Sequence, residues 1–68
     1  MKHEYEHKQW ESEDDVVYVA HVERFDTFAV SVNAKFVASY KSYNRAVKRA
    51  EKEAEKRNAV EVNFEDAV

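Results

Sequence analysis

Between residues 28 and 38, apolar and polar positions alternate without a break. Phe28, Val30, Val32, Ala34, Phe36 and Ala38 hold the even positions, and the odd ones begin Ala29, Ser31, Asn33 and Lys35. Period two sends successive side chains to opposite faces of a sheet, so this stretch reads as one long strand with one buried face. A turn at Asn33-Ala34 would split it into two short strands, with Ala where a tight hairpin prefers Gly. The unbroken alternation favours the single strand. Residues 16–24 read as the strand before it. Val60, Val62 and Phe64, alternating with Glu61, Asn63 and Glu65, read as the last.

Over residues 42–57 the period lengthens to that of a helix. Tyr43, Ala46, Val47, Ala50 and Ala54 fall on one narrow stripe at about 100° per residue. Ser42 is placed to cap the N-terminus, with Ser39 as the alternative. Asn58 follows the last turn and can take the left-handed position usually held by Gly, and Lys56 and Arg57 suit the negative end of the helix dipole.

Register fixes which side chains share a face. A two-residue turn at Asp26-Thr27 would pair Glu23 with Val30 and His21 with Val32, setting a charge on the apolar face. A three-residue loop, Phe25-Asp26-Thr27, pairs Arg24 with Phe28, Val22 with Val30, Ala20 with Val32 and Tyr18 with Ala34. Both faces then agree, and this register is expected. Without Gly, Asp26 is the residue suited to the left-handed loop position.

Residues 1–15 are polar and acidic, alternate poorly, and end in Glu11-Ser12-Glu13-Asp14-Asp15. They read as a mobile N-terminal arm with Tyr5 and Trp10 as available anchors; plain disorder is the alternative. Residues 16–68 form a single α+β domain, a small antiparallel sheet packed on one helix. Its order is β-β-α-β, or β-β-β-α-β if the long strand splits.

Composition then narrows the chemistry. The 68 residues include no Gly, Pro or Cys, and the sequence also lacks Leu and Ile. At average usage of about 7% Gly and 5% Pro, a chain this long lacks both about twice in ten thousand. An engineered, restricted-alphabet protein without evolved function is therefore one reading. Absence of Cys excludes disulfides and thiol catalysis, and absence of Gly excludes phosphate loops and nucleophile elbows. Ser12, Ser31, Ser39 and Ser42 have no evident His and acid partners, and Asp14-Asp15 falls in the arm, so no enzyme is expected and no catalytic residue is assigned. His3 and His7 with Glu4 and Glu6 offer too few ligands for a dedicated metal site, His21 being remote; no metal or cofactor is assigned. No apolar run approaches the roughly 20 residues of a membrane span, and residues 1–7 have no signal-peptide core. The expected location is cytoplasmic.

The run Val32-Asn33-Ala34-Lys35-Phe36-Val37-Ala38-Ser39-Tyr40-Lys41-Ser42, followed by Arg45-Ala46-Val47-Lys48-Arg49-Ala50, resembles the end of AP2-type and integrase arm-type DNA-binding domains. Those domains run strand, Asn-Gly-Lys turn, strand ending in Gly-Ser/Thr-Phe, then a helix rich in Ala and charge. Ala34 and Ala38 stand where that family has glycines. The resemblance implies a sheet that reads DNA with basic and aromatic residues. The exposed sheet positions expected here are mostly neutral or acidic, so no functional residue is carried over. The β-β-α-β plan is also similar to that of many short viral and mobile-element proteins.

Charge supplies the clearest candidate surface. Residues 41–57 carry seven cations and three carboxylates, a net +4; the other residues carry four and eleven, a net −7, within an overall −3. Lys41, Arg45, Lys48, Arg49, Lys52 and Lys56 fall within about 100° of arc opposite the apolar stripe, with Glu51, Glu53 and Glu55 toward the flanks. This face could bind an acidic protein partner or nucleic-acid phosphates; a solvated face balanced by the acidic arm is the bland alternative. In the expected register, Tyr18, Phe28, Phe36 and Phe64 belong to the core. The opposite sheet face then presents Val17, Val19, His21 and Ser31, a small apolar surface without aromatics, able to pair with a partner or a second subunit. An uncovered strand edge offers homodimerisation by strand pairing. The leading expectation is a small non-enzymatic interaction or regulatory protein of viral or mobile-element style, acting by stoichiometric docking. Nucleic-acid binding through the helix cations is the alternative.

Overall fold

The computed structural model describes residues 7–62. They form β1 (Lys8–Glu11), β2 (Val16–Val22), β3 (Thr27–Val32), β4 (Lys35–Tyr40), α1 (Tyr43–Lys56) and β5 (Val60–Val62). One five-stranded sheet has the order β4-β3-β2-β1-β5, every neighbouring pair being antiparallel. The first four strands meander outward, and α1 crosses back over one face to deliver β5 beside β1. The class is the expected α+β. The sheet has more strands than expected, for two separate reasons.

The first lies in the arm. Residues 8–11 are β1, inside the sheet between β2 and β5, so the mobile-arm expectation is corrected over residues 8–15. Trp10 is 5% exposed, and one large ring can anchor a short strand that has no other apolar residue. Lys8, on the same face, reaches Glu61 Oε2 at 2.9 Å. The acidic run forms the turn to β2, closed by Ser12 N–H to the Asp15 carbonyl (2.9 Å) and Asp15 N–H to Ser12 Oγ (3.1 Å). Tyr5 and Phe64 lie outside the described residues.

The second is the long strand, which divides at Asn33-Ala34. Both residues have positive φ, 53° and 69°, the two-residue geometry whose twist matches a hairpin. Val32 then opposes Lys35. Asn33 also ties this turn to the neighbouring one. Its N–H donates to the Val16 carbonyl (2.8 Å), its Oδ1 accepts from Val16 N–H (2.9 Å), and its Nδ2 donates to Asp15 Oδ1 (2.9 Å). In β4 the pairing passes from Ser31↔Phe36 to Val30↔Ala38, leaving Val37 as the extra residue of a β-bulge. The bulge restores even parity at Ala38 and Tyr40, which is why the sequence alternation ran on through a turn.

The expected β2–β3 register is also corrected. The loop has four residues, 23–26, and the pairs are Val22↔Thr27, His21↔Phe28, Val19↔Val30 and Val17↔Val32. Glu23 leaves the ladder, so the charge argument for the three-residue loop loses its premise. Val17, Val19 and His21 therefore share the helix side with Phe28, Val30 and Val32, while Tyr18, Ala20 and Val22 face the other way. Asp26 does take the left-handed position, with φ 53°.

The core lies between the sheet and α1. Val17, Val19 and Val30 are its most buried large side chains, joined by Trp10, Phe28, Val32, Ala46, Ala50 and Ala54. Flat β-branched side chains on the sheet meet an Ala stripe on the helix, so the two layers approach closely without Leu or Ile. Ser42 caps α1 by accepting Arg45 N–H at 3.3 Å. At the other end Asn58 has φ 57°. Its N–H reaches the Glu55 carbonyl (3.2 Å), and Ala59 N–H reaches the Ala54 carbonyl (2.9 Å). That bonding pattern is a Schellman motif built without Gly.

Candidate functional site

Helix periodicity sets the first candidate surface. With Ala46, Ala50 and Ala54 against the sheet, Arg45, Lys48, Lys52 and Lys56 are exposed on the outer side of α1, and Lys41 is exposed just before the N-cap. None of the five forms an ion pair with the described residues.

Arg49 belongs elsewhere. Its Nε donates to Glu53 Oε2 at 2.9 Å and its Nη1 to Tyr40 Oη at 3.2 Å. Arg57 Nη1 donates to Glu53 Oε1 (2.9 Å) and to the Glu53 carbonyl (2.8 Å). Glu53 is 8% exposed, and the hydrogen bonds from Arg49 and then Arg57 hold its carboxyl below the usual carboxylate range despite burial. The same Glu53 bond, followed by the one to Tyr40, raises Arg49 further above its already high value. Arg49 and Arg57 thus neutralise a nearly buried carboxylate. The i, i+4, i+8 spacing Arg49-Glu53-Arg57 carried that signal in the sequence.

Beside this face, toward β1 and β5, Trp10, Lys48, Glu51, Lys52, Ala54, Glu55 and Ala59 line an open groove of about 460 Å³. It mixes two lysines with two glutamates over an apolar floor.

The second candidate surface is the sheet face away from α1, and the structure changes its membership. Val17 and Val19, expected there, are 0% and 1% exposed beneath the helix. His21 also lies on the helix side, stacked on Phe28 with centroids 4.8 Å apart and its Nε2 3.1 Å from Asp26 Oδ1. Of the four expected contact residues only Ser31 is on the open face, opposite Tyr18 and Phe36. Two rings expected in the core, Tyr18 and Phe36, are on this face instead, Phe36 at 68% exposure. Among the rings expected there, Phe28 is in the core. The two-residue turn at Asn33-Ala34 sets Phe36 opposite Ser31 and so turns it outward, and the bulge at Val37 then returns Ala38 to the helix side. Tyr18 Oη lies 2.8 Å from His7 Nδ1.

His3, Glu4 and Glu6 lie outside the described residues. Among the described residues no three His, Asp or Glu side chains are grouped to hold a metal ion. No described helix is long and apolar enough to cross a membrane. Comparison of the chain with protein-family models, curated proteins and solved structures finds no match.

Proposed function

We propose that this chain is a small interaction protein that docks an acidic protein surface on the outer face of α1. The observation that carries this reading is the set of five exposed cations, Lys41, Arg45, Lys48, Lys52 and Lys56, none paired with a described carboxylate. A predominantly basic face steers an oppositely charged partner into register and speeds encounter. The action is stoichiometric: the surface offers charge complementarity and no reacting group.

Nucleic acid is the weaker fit. Beside the aromatic side chains on the open sheet face stand Gln9, Glu11, Ser31, Ser39, Thr27 and, against Tyr18, His7, with no lysine or arginine on the strands there to meet phosphates.

The test compares two probes of equal charge, a poly-glutamate peptide and a single-stranded oligonucleotide, by fluorescence anisotropy at low salt. The peptide should bind saturably, weaken with added salt, and be lost in the double variant Arg45→Glu, Lys52→Glu. Tighter binding of the oligonucleotide would transfer the assignment to nucleic acid. Failure of both probes to bind would refute an anion-docking role.

A further inference from the structure

We infer that the sheet face opposite α1 is a homodimer interface, covered by a second copy of this chain packing face to face through Tyr18, Ala20, Ala29, Ser31 and Phe36. The first support is the sequence of β2, Val16-Val17-Tyr18-Val19-Ala20-His21-Val22. A strand with one wet face alternates apolar and polar residues, whereas a strand buried on both faces reads as a nearly continuous apolar run. β2 is of the second kind, yet α1 covers only one of its faces, and no described element packs on the other. Phe36 and Val60 are each 68% exposed on that side and Val16 is 37% exposed.

Charge decides the occupant. Elsewhere the chain is dense in charge, with 11 cations and 14 carboxylates in 68 residues. Along β1 to β5, the open face has Glu11 as its single charged residue, at the end of β1 and hydrogen-bonded by the Gln9 side-chain amide. Beyond Glu11 and His7, which stands against Tyr18 at the margin, an acidic, basic or nucleic-acid partner finds no charge there to pair with. A neutral apolar surface of the same outline does, and the chain's own open face is one. The contact would be isologous, so a small-residue centre of Ala20, Ala29 and Ser31 flanked by Tyr18 and Phe36 is met by its own copy.

An open strand edge is the less suitable route. β4 carries the Val37 bulge and Lys35, both of which discourage strand addition, and β5 has three residues.

Area sets the strength. Five strands of three to seven residues, about 4.8 Å apart and 3.3 Å per residue, give a footprint of about 400 Å² per copy. Two copies would then remove about 800 Å² from water, the size of a weak, transient contact. Association is therefore expected toward millimolar concentrations, forming a four-layer α-β-β-α body with the two basic helices pointing outward on opposite sides.

Sedimentation equilibrium from micromolar to millimolar protein tests this. The mass should rise from 8.0 kDa toward twice that value, with little dependence on salt. Ser31→Arg and Phe36→Asp should each weaken association by at least about tenfold, as expected for a charge buried without a partner, while far-UV circular dichroism shows the fold retained. Arg45→Glu with Lys52→Glu should leave the dimer unchanged, which separates this inference from the acidic-partner reading. A constant 8.0 kDa across the range overturns it, whether the face stays wet or is covered by the chain's own ends. A dimer indifferent to Ser31→Arg, or one lost only on reversing the helix charges, overturns it equally.

Discussion

Replacing Ala34 with Gly removes one methyl group from a turn, and the structure assigns that methyl an unfavourable place. Ala34 has φ 69° and follows Asn33 at φ 53°. A Cβ in the left-handed region crowds the backbone carbonyl and costs about 1–2 kcal/mol. Asn tolerates the region; Ala has no side-chain hydrogen bond to offset it. Gly returns that cost but gives up about 0.5–1 kcal/mol through the greater freedom of its unfolded chain. The net expectation is a gain of about 0.5–1 kcal/mol. In a domain of this size one kcal/mol moves the melting midpoint about 4–8 °C, so the shift should be about 2–8 °C upward. Thermal melts by circular dichroism read the midpoint, and urea titration checks that the slope m is unchanged, so that the gain belongs to the folded state. Ala38→Gly is the matched control. Ala38 lies in β4 opposite Val30, where Gly lowers stability by roughly 0.5–1 kcal/mol. The same chemical change should thus have opposite signs four residues apart. A lower midpoint for Ala34→Gly, or equal shifts for both variants, would refute the two-residue turn and restore the continuous strand.

Two further perturbations follow from the core. Glu53→Gln leaves Arg49 and Arg57 facing a neutral amide and should cost about 1.5–3 kcal/mol at neutral pH, the range for a hydrogen bond to a charged group. Because the folded carboxyl titrates below its unfolded value, its contribution is fully present above the unfolded pKa and is lost as pH falls through the folded one. Urea midpoints of wild type and variant should therefore converge in acid, and a constant gap down to low pH would contradict the assigned pair. Val19→Glu, placed at a site 1% exposed, buries a carboxylate with no partner and should unfold a domain whose total stability is of order 5–15 kcal/mol. A native-like near-ultraviolet spectrum for that variant would restore Val19 to the open face.

The helix was legible because its signals are local. Ser42, the Ala stripe and Asn58 each act within a turn or two of their own position, and all three hold the places expected of them. Period arithmetic also placed Lys41, Arg45, Lys48, Lys52 and Lys56 correctly. It misplaced Arg49, since an angle on a helical wheel does not reveal that a carboxylate one turn on will be buried and claim the guanidinium. The sheet was less legible. β2 is apolar on both faces, so alternation could not choose its register, and one wrong register inverted the assignment of Val17, Val19 and Tyr18 together. The turn at Asn33-Ala34 was hidden by a compensating bulge at Val37. β1 escaped notice because one tryptophan does the anchoring that a pattern search expects of several residues.

The pairing of β5 with β1 sets the order in which this sheet can close. Lys8 and Glu61 are 53 residues apart in sequence and 2.9 Å apart in the fold, whereas β1 through β4 are joined by short turns. Closing the long loop carries an entropy cost that the three hairpins avoid, and three residues of β5 return few hydrogen bonds for it. The meander can form from neighbours, with Asn33 latching two of its turns, and the β5 seam is expected to close last, after α1 has packed on the sheet. In the folded protein the same seam should be the first to breathe. The amides of β5 are then expected to exchange with solvent by local opening, well before those of β2 and β3, whose protection reports the global stability.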